Sequence, residues 1–303
     1  MRYVLLFLFL VSCIFSCSSD GPSKSESDSD PQPTGSIYSG FRASRILGSY
    51  PNNQFPNQAY WQRAGETLAS KFDDAIPAGI WIVSLYQSNG ETRMNFQALG
   101  ENLPFVSFAS FDQNEAFLTH FDNVGLKVWL QVEPGNANVD SLIHLVMGRY
   151  GQHPCVIGFG VDVEWHQPPV DPLGLAVTDE MAERWENTLK SINPDYSLFL
   201  KHFTQSRMPP TYRGDILFVN DSQGFTFASN PFNAMISEFD AWGRAFEPNP
   251  VGFQYGYPND MVWWSPFADP HQEIGSALLQ FIDNTEGLFW VDFTLDDIIP
   301  VNP

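Results

Sequence analysis

The chain has 303 residues, with 15 Lys and Arg against 35 Asp and Glu, and a formal charge of −20. With 43% hydrophobic and 17% charged residues it describes a globular core under an acidic surface, not a disordered chain. The charge argues against nucleic acid as a partner, because counterion release needs clustered Lys and Arg, and it disfavours an anionic lipid surface or a polyanionic substrate. Aromatic residues reach 15%, with 9 Trp and 26 Phe. That content suits stacking platforms for neutral rings as well as a large core.

Residues 1–16 place Arg2 before a short apolar run and then small residues. The run is shorter than the roughly 20 apolar residues that span a bilayer, and it fits a secretory signal. Ile14-Phe15-Ser16-Cys17 resembles a lipoprotein cleavage box that would leave Cys17 as the lipidated residue. Leu10-Val11-Ser12-Cys13 is the alternative box, and a plain cleaved signal the other reading. Residues 17–35 are rich in Ser, Asp and Pro and form an expected disordered tether. The expected folded domain is then 36–303. Cys155 is left as a single thiol in an apolar run, expected to be buried and inert, with no disulfide or metal cluster.

An opening helix is expected over Tyr60–Phe72. Eight strands follow: Gly79–Tyr86, Pro104–Ser110, Leu126–Glu133, Val156–Trp165, Ser197–Phe203, Asp215–Asp221, Val251–Tyr257 and Leu288–Thr294. Helical stretches separate several of them, at Asn114–Asn123, Val139–Tyr150, Thr178–Ile192, Asn233–Phe246 and His271–Asp283. The connections after the first and fifth strands show no clear element. Alternation of this kind demands parallel pairing through crossovers. Eight units fit a closed (β/α)8 barrel, a TIM barrel in the α/β class. The rival open doubly wound sheet would carry a Gly-rich phosphate turn after its first strand, where Gln87-Ser88-Asn89-Gly90 stands instead. No internal repeat is evident.

Buried parallel strands are almost wholly apolar, so polar residues at their C-terminal ends need a reason, and in barrels the usual one is catalysis. The fourth strand has the strongest case. Its period of two puts Gly158, Gly160, Asp162 and Glu164 on one face and Phe159, Val161 and Val163 on the other. Two acids then share the barrel mouth, above space left by two glycines, and their mutual repulsion raises at least one pKa toward that of a general acid. The bland alternative is an ion pair with Lys or Arg at the rim, which only 15 basic residues make the weaker account. Other strands also end in polar residues: Gln131 and Glu133, Lys201 and His202, Asn220 and Asp221, Gln254 with Tyr255 and Tyr257, and Trp290 with Asp292. Trp263-Trp264, between Pro258 and Pro266, reads as a sugar platform. The six His show no paired ligand spacing, so no metal is expected. No GxSxG elbow and no Walker loop occurs.

These residues resemble the family-18 glycoside hydrolases, the chitinase and endo-N-acetylglucosaminidase group. Gly125-Leu126-Lys127-Val128 is similar to that family's third-strand run. Asp162 and Glu164 match the last Asp and the Glu of its DxxDxDxE pattern, whose other two acidic positions fall on Ile157 and Gly160. Gln131-Val132-Glu133-Pro134-Gly135 stands where the family has SxGG. Asn220-Asp221 takes the place of its Tyr-Asp pair, and Trp290 that of its eighth-strand Trp. The resemblance implies that Glu164 protonates the leaving oxygen while Asp162 holds a 2-acetamido group acting as nucleophile. A second scheme needs no acetamido group: Glu133 and Glu164, on neighbouring strands, form a standard carboxylate pair. A retaining pair on strands four and seven is disfavoured, because Val251–Tyr257 has no acid.

The expectation is a lipid-anchored, monomeric glycosidase of the bacterial envelope, periplasmic or on the outer surface. It needs no cofactor, and it touches the membrane only through its anchor. Its substrate is a neutral or N-acetylated glycan. Glu164, Asp162 and Glu133 are the catalytic candidates, and Gln131, His202, Asn220, Asp221, Gln254, Tyr255, Tyr257, Trp290 and Asp292 the substrate-binding ones. The alternative is a catalytically inactive glycan-binding lipoprotein on the same barrel.

Overall fold

The structure is a computed structural model that describes residues 37–301. The signal-like run, Cys13, Cys17 and the tether lie outside those residues. Ten strands follow in order: β1 (Tyr38–Ala43), β2 (Ile76–Tyr86), β3 (Thr92–Met94), β4 (Val106–Phe108), β5 (Lys127–Val132), β6 (Val156–Asp162), β7 (Ser197–Lys201), β8 (Ile216–Asn220), β9 (Val251–Tyr255) and β10 (Thr285–Val291). Parallel pairing runs β1-β2-β5-β6-β7-β8-β9-β10 and returns from β10 to β1. Eight parallel strands therefore close a (β/α)8 barrel.

The shell is built from α1 (Gln58–Ala69), α2 (Glu115–Val124), α3 (Val139–Tyr150), α4 (Asp179–Ile192), α5 (Pro231–Phe246), α6 (Met261–Trp264), α7 (Pro270–Phe281) and α8 (Leu295–Ile298). Their starts are written in the sequence. Asn57, Asn138, Thr178, Asn230 and Asp269 each accept a backbone N–H of the first turn, and Pro opens α5 and α7. Among the described residues no helix is long and apolar enough to cross a membrane.

Two strand expectations need correction, and they offset each other. β1, unforeseen, is the first barrel strand. The segment Pro104–Ser110 does hold a strand, β4, but outside the barrel: β3 pairs antiparallel with the end of β2, and β4 pairs with β3. β6 therefore remains the fourth barrel strand. The unclear connection between β7 and β8 contains only a short 3-10 turn, Gln205–Arg207.

The alternation of each strand divides the apolar residues between two cores. Phe41, Trp81, Leu130, Phe159, Leu200 and Trp290 pack between barrel and helices. Ala78, Ile80, Trp129, Phe199, Leu217, Val219 and Phe289 fill the barrel itself. The lumen is thus closed from below, and side chains at the C-terminal strand ends rest on an apolar floor.

Candidate active site

On β6 the expected alternation holds as far as Asp162. Phe159 and Val161 pack outward. The space beside the inward glycines is not open, however. A Cβ on Gly160 would lie 1.9 Å from the Phe199 ring, and one on Gly158 would lie 2.6 Å from Trp129. The glycines admit two large rings, and those rings form the floor under Asp162. β6 then ends, and Glu164 stands on a 3-10 turn, Val163–Trp165, above Asp162.

The two acids meet different surroundings. Asp162 is fully buried; its Oδ2 lies 2.9 Å from Lys201 Nζ and accepts a hydrogen bond from Gln131 Nε2 at 3.2 Å. Lys201 also pairs with Asp221, whose Oδ2 accepts a 3.4 Å contact from the Tyr257 hydroxyl. So the ion-pair reading, judged the weaker one from composition, describes Asp162. An ammonium sits between two carboxylates there and stays charged despite its depth: its pKa is pushed well up, the two acids outweighing the cost of burial. Beside this triad, Arg42 donates to Asp292 at 3.0 Å.

Glu164 is only half-buried. Burial pushes its carboxyl up to about 7; Lys201 opposes this, and Asp162 and Asp221 add to it. Glu133 follows the end of β5, beside β6. It is 6% exposed, and its Oε2 accepts the Tyr86 N–H at 2.8 Å. Burial and the Asp162 charge push Glu133 up to about 8, against the Tyr86 hydrogen bond, Arg42 and Lys201. Burial also raises Asp162, which Lys201 resists. Across this mouth Glu133, Asp162, Glu164, Asp221 and Asp292 face two cations, Arg42 and Lys201. Carboxyls in that excess cannot all ionise cheaply, so some hold protons near neutral pH.

The polar layer has unused hydrogen-bonding capacity. Gln254 is fully buried with neither amide atom partnered among the described residues, and Gln131 Oε1, Asp162 Oδ1, Asp221 Oδ1 and Ser84 Oγ are likewise unpartnered. Buried polar atoms ordinarily find partners. These face the region that the sequence marked through Gln131, Glu133, Asp162, Asp221, Gln254 and Tyr257.

Other expected site residues are held elsewhere. His202 is buried; its Nδ1 accepts the Thr204 N–H at 2.7 Å, which leaves Nε2–H to donate to Leu173 O at 2.7 Å. Both ring nitrogens are therefore spent on loops. Asn220 accepts the Ser222 N–H at 2.7 Å, turning the chain after β8. Tyr255 and Trp290 lie in the outer core: Tyr255 stacks on His271, and Trp290 packs edge-on to Trp264 and donates to Thr294. Asp292 borders the charge cluster through Arg42, but its oxygens are fully taken by Arg42, the Ser44 N–H and hydroxyl, and Tyr50. Trp264 is buried, donating to Tyr257 O, while Trp263 is half-buried against Phe232 and Phe267, so that pair is no exposed platform.

Several residues of the mouth are not among the candidates named from the sequence. Arg42 sits on the unforeseen β1. Lys201 is one of the polar strand ends, a charge inside an apolar strand, but not one of the named site candidates. Tyr86 and Trp165 close the expected first and fourth strands; their rings stack with centroids 5.1 Å apart and planes 20° apart. At the opposite end of β6, Cys155 is buried as expected, and burial pushes its thiol up. It belongs to a knot with Asp122 and His153 whose ligand-type atoms lie within 4.8 Å of one another. Asp122 accepts the Cys155 N–H at 2.9 Å and meets His153 Nδ1 at 2.6 Å, so hydrogen bonds account for the knot.

No protein-family model and no curated protein matches the chain. The likeness to family 18 therefore stands on the quoted residues alone, and the outward placement of Trp290 removes one of them. Solved structures similar to the chain include a β-D-glucuronidase of Dictyoglomus thermophilum, at 10% identity and TM-score 0.48, over 84% of this chain and 43% of that one. An α-L-arabinofuranosidase from Thermotoga maritima is similar at 12% identity and TM-score 0.47, over 86% of this chain and 64% of that one. The chain thus spans less than two thirds of the length of either.

Proposed function

We propose that this chain is a glycoside hydrolase acting on a neutral or N-acetylated glycan, with Glu164 as general acid and Glu133 as its carboxyl partner. One observation carries the reading. Two carboxyls raised to about 7 and about 8 stand at the C-terminal ends of adjacent barrel strands, within one charge cluster. Such a coupled pair shares a proton near neutral pH that belongs to the pair and not to either member, Glu133 standing the higher of the two. Access, not the order of the two values, assigns the acid role: Glu164, half-open to solvent, passes the shared proton to the glycosidic oxygen as the C–O bond breaks, and Glu133 keeps the charge. Positive charge develops at the anomeric carbon, and the ionised Glu133 meets it, as nucleophile or through a water. The excess of carboxyls over cations favours that charge.

The substrate-assisted scheme is less well supported. It needs Asp162 to hold an acetamido group, yet Asp162 is fully buried and its Oδ2 is taken by Lys201 and Gln131, which leaves only Oδ1 unpartnered. The carboxylate pair instead uses Glu164, which is half-open to solvent. To this proposal the N-terminal run and tether add a lipid anchor at Cys17 and a place in the bacterial envelope.

The test is hydrolysis of a panel of neutral and N-acetylated glycans by the parent chain and by Glu164→Gln and Glu133→Gln. Each variant is expected to lose about 100-fold or more in turnover. Undiminished turnover by Glu164→Gln removes the assignment. A parent that binds glycans and cleaves none is the inactive binder instead.

A further inference from the structure

We propose that Tyr86 and Trp165 form an aromatic subsite that takes the apolar face of a neutral pyranose beside Glu164; this rests on the glycan-directed reading above. β2, β5 and β6 are neighbours in the barrel; Tyr86 closes β2, and Trp165 follows β6 on the turn that carries Glu164. Because the two rings stack on each other, the pair spans the end of β5, where Glu133 stands. The Tyr86 backbone holds Glu133 through its N–H. One aromatic pair is thereby tied to both carboxyls, to one by a hydrogen bond and to the other by the adjacent peptide.

Both residues are half-buried. For an indole in this chain that is unusual: all but Trp165 and Trp263 of the nine tryptophans are 3% exposed or less. The fold has the means to bury indoles, and it leaves this one accessible beside the acids. Nor is the pair carried on a loose loop tip. Gly135 N–H donates to Trp165 O at 2.8 Å, Gln167 N–H donates to Gly135 O at 2.9 Å, and Asn136 N–H donates to Gly90 O at 2.8 Å. These bonds knit the segments after β2, β5 and β6 together. Gly135 has φ +56, and a Cβ there would lie 2.6 Å from Gly90 O, so the close approach requires glycine. Gln167 holds the left-handed region at φ 51 without being glycine, which a backbone keeps only where its surroundings determine it.

The ligand class follows from the chemistry. A pyranose presents C–H groups on one face and hydroxyls around its edge. The electron-rich face of an indole or phenol takes the C–H side. The hydroxyl edge then meets carboxyls, which suit hydroxyl donors and repel a sugar carboxylate. Trp263, on α6 and packed on Phe232 and Phe267, serves as the accessible indole outside this site.

The experiment titrates the full chain carrying Glu164→Gln with cello- and chito-oligosaccharides, reading tryptophan emission and calorimetric Kd. At least one probe should bind with a change in emission. Adding Trp165→Ala should abolish that change and weaken binding roughly fivefold to tenfold, while Trp165→Phe retains most of the affinity and Trp263→Ala binds as the parent. Unaltered affinity in both Trp165 variants, or no probe that changes the emission, overturns the subsite. The two readings fail separately. A parent that cleaves nothing but binds through Trp165 keeps the subsite and loses the enzyme. Hydrolysis with an unchanged KM in Trp165→Ala keeps the enzyme and loses the subsite.

Discussion

Asp162 and Glu164 stand two residues apart, yet the end of β6 between them sends their side chains into different surroundings. Asp162 is locked to Lys201 under the mouth; Glu164 rises on the following turn, half-open to solvent. The period of two anticipated a shared face but not the strand end, and it could not show which acid the lysine would take. Asp162 acts on its neighbours through charge: its carboxylate helps hold both Glu133 and Glu164 up. Asp162→Asn removes that repulsion and leaves Lys201 with Asp221 as its remaining acid. Both changes favour ionisation of Glu164. If Glu164 must be protonated to act, the alkaline limb of kcat/KM moves to lower pH by about one unit in this variant. A pH profile on any cleaved glycan checks this; a limb that stays or moves upward separates Asp162 from the acid. Lys201→Met is the poorer probe, since it leaves two buried carboxylates unpaired, at a cost of about 3–5 kcal/mol.

Most strands and long helices were legible because each repeats one physical rule over several residues. Apolar runs gave seven of the eight barrel strands, and the amphipathic stretches between them gave the long helices. β1 failed that rule for identifiable reasons. Tyr38–Ala43 carries Ser39, Gly40 and Arg42, which are polar or small where a buried strand is usually apolar. Ser39 is satisfied by Leu68 O and His271, and Arg42 by Asp292. Those partners are distant in the chain, so a local reading finds none of them. β4 misled in the opposite sense: its aromatic, β-branched composition is that of a strand, but its half-buried residues pair beyond the barrel wall. Within β6 the packing makes a sharper claim. Gly160 lies against Phe199, with no room for a Cβ. Gly160→Ala should destabilise the chain by about 1–3 kcal/mol through overpacking. Adding Phe199→Leu should recover part of that loss, so that the double variant is more stable than the two separate costs predict. Denaturant melts of the four proteins measure the coupling, and strict additivity shows that the two side chains do not compete for the same space.

The whole molecule carries a formal charge of −20, and eight of the Lys and Arg among the described residues pair with acids. Arg42 and Lys201 at the mouth, and Arg149, Arg184, Arg207 and Arg244 outside it, all pair with aspartates. Composition made the excess legible from the start. It could not show that the excess persists at the strand ends, where five carboxyls meet two cations already bonded to acids. A ligand approaching that face therefore meets negative potential both at long range and on arrival. An oligosaccharide of uronic acids should bind more weakly than a neutral one of the same length. Its affinity should rise as salt increases from about 0.02 to about 0.5 M, because screening over a Debye length of a few ångströms removes the repulsion. The neutral ligand, with no charge to screen, should change by less than about twofold over the same range. Calorimetric titrations of both ligands at two salt concentrations decide the matter. Anionic binding that weakens with salt would mean that a cation is released from its acid to meet the ligand, and the substrate class would then be an acidic glycan.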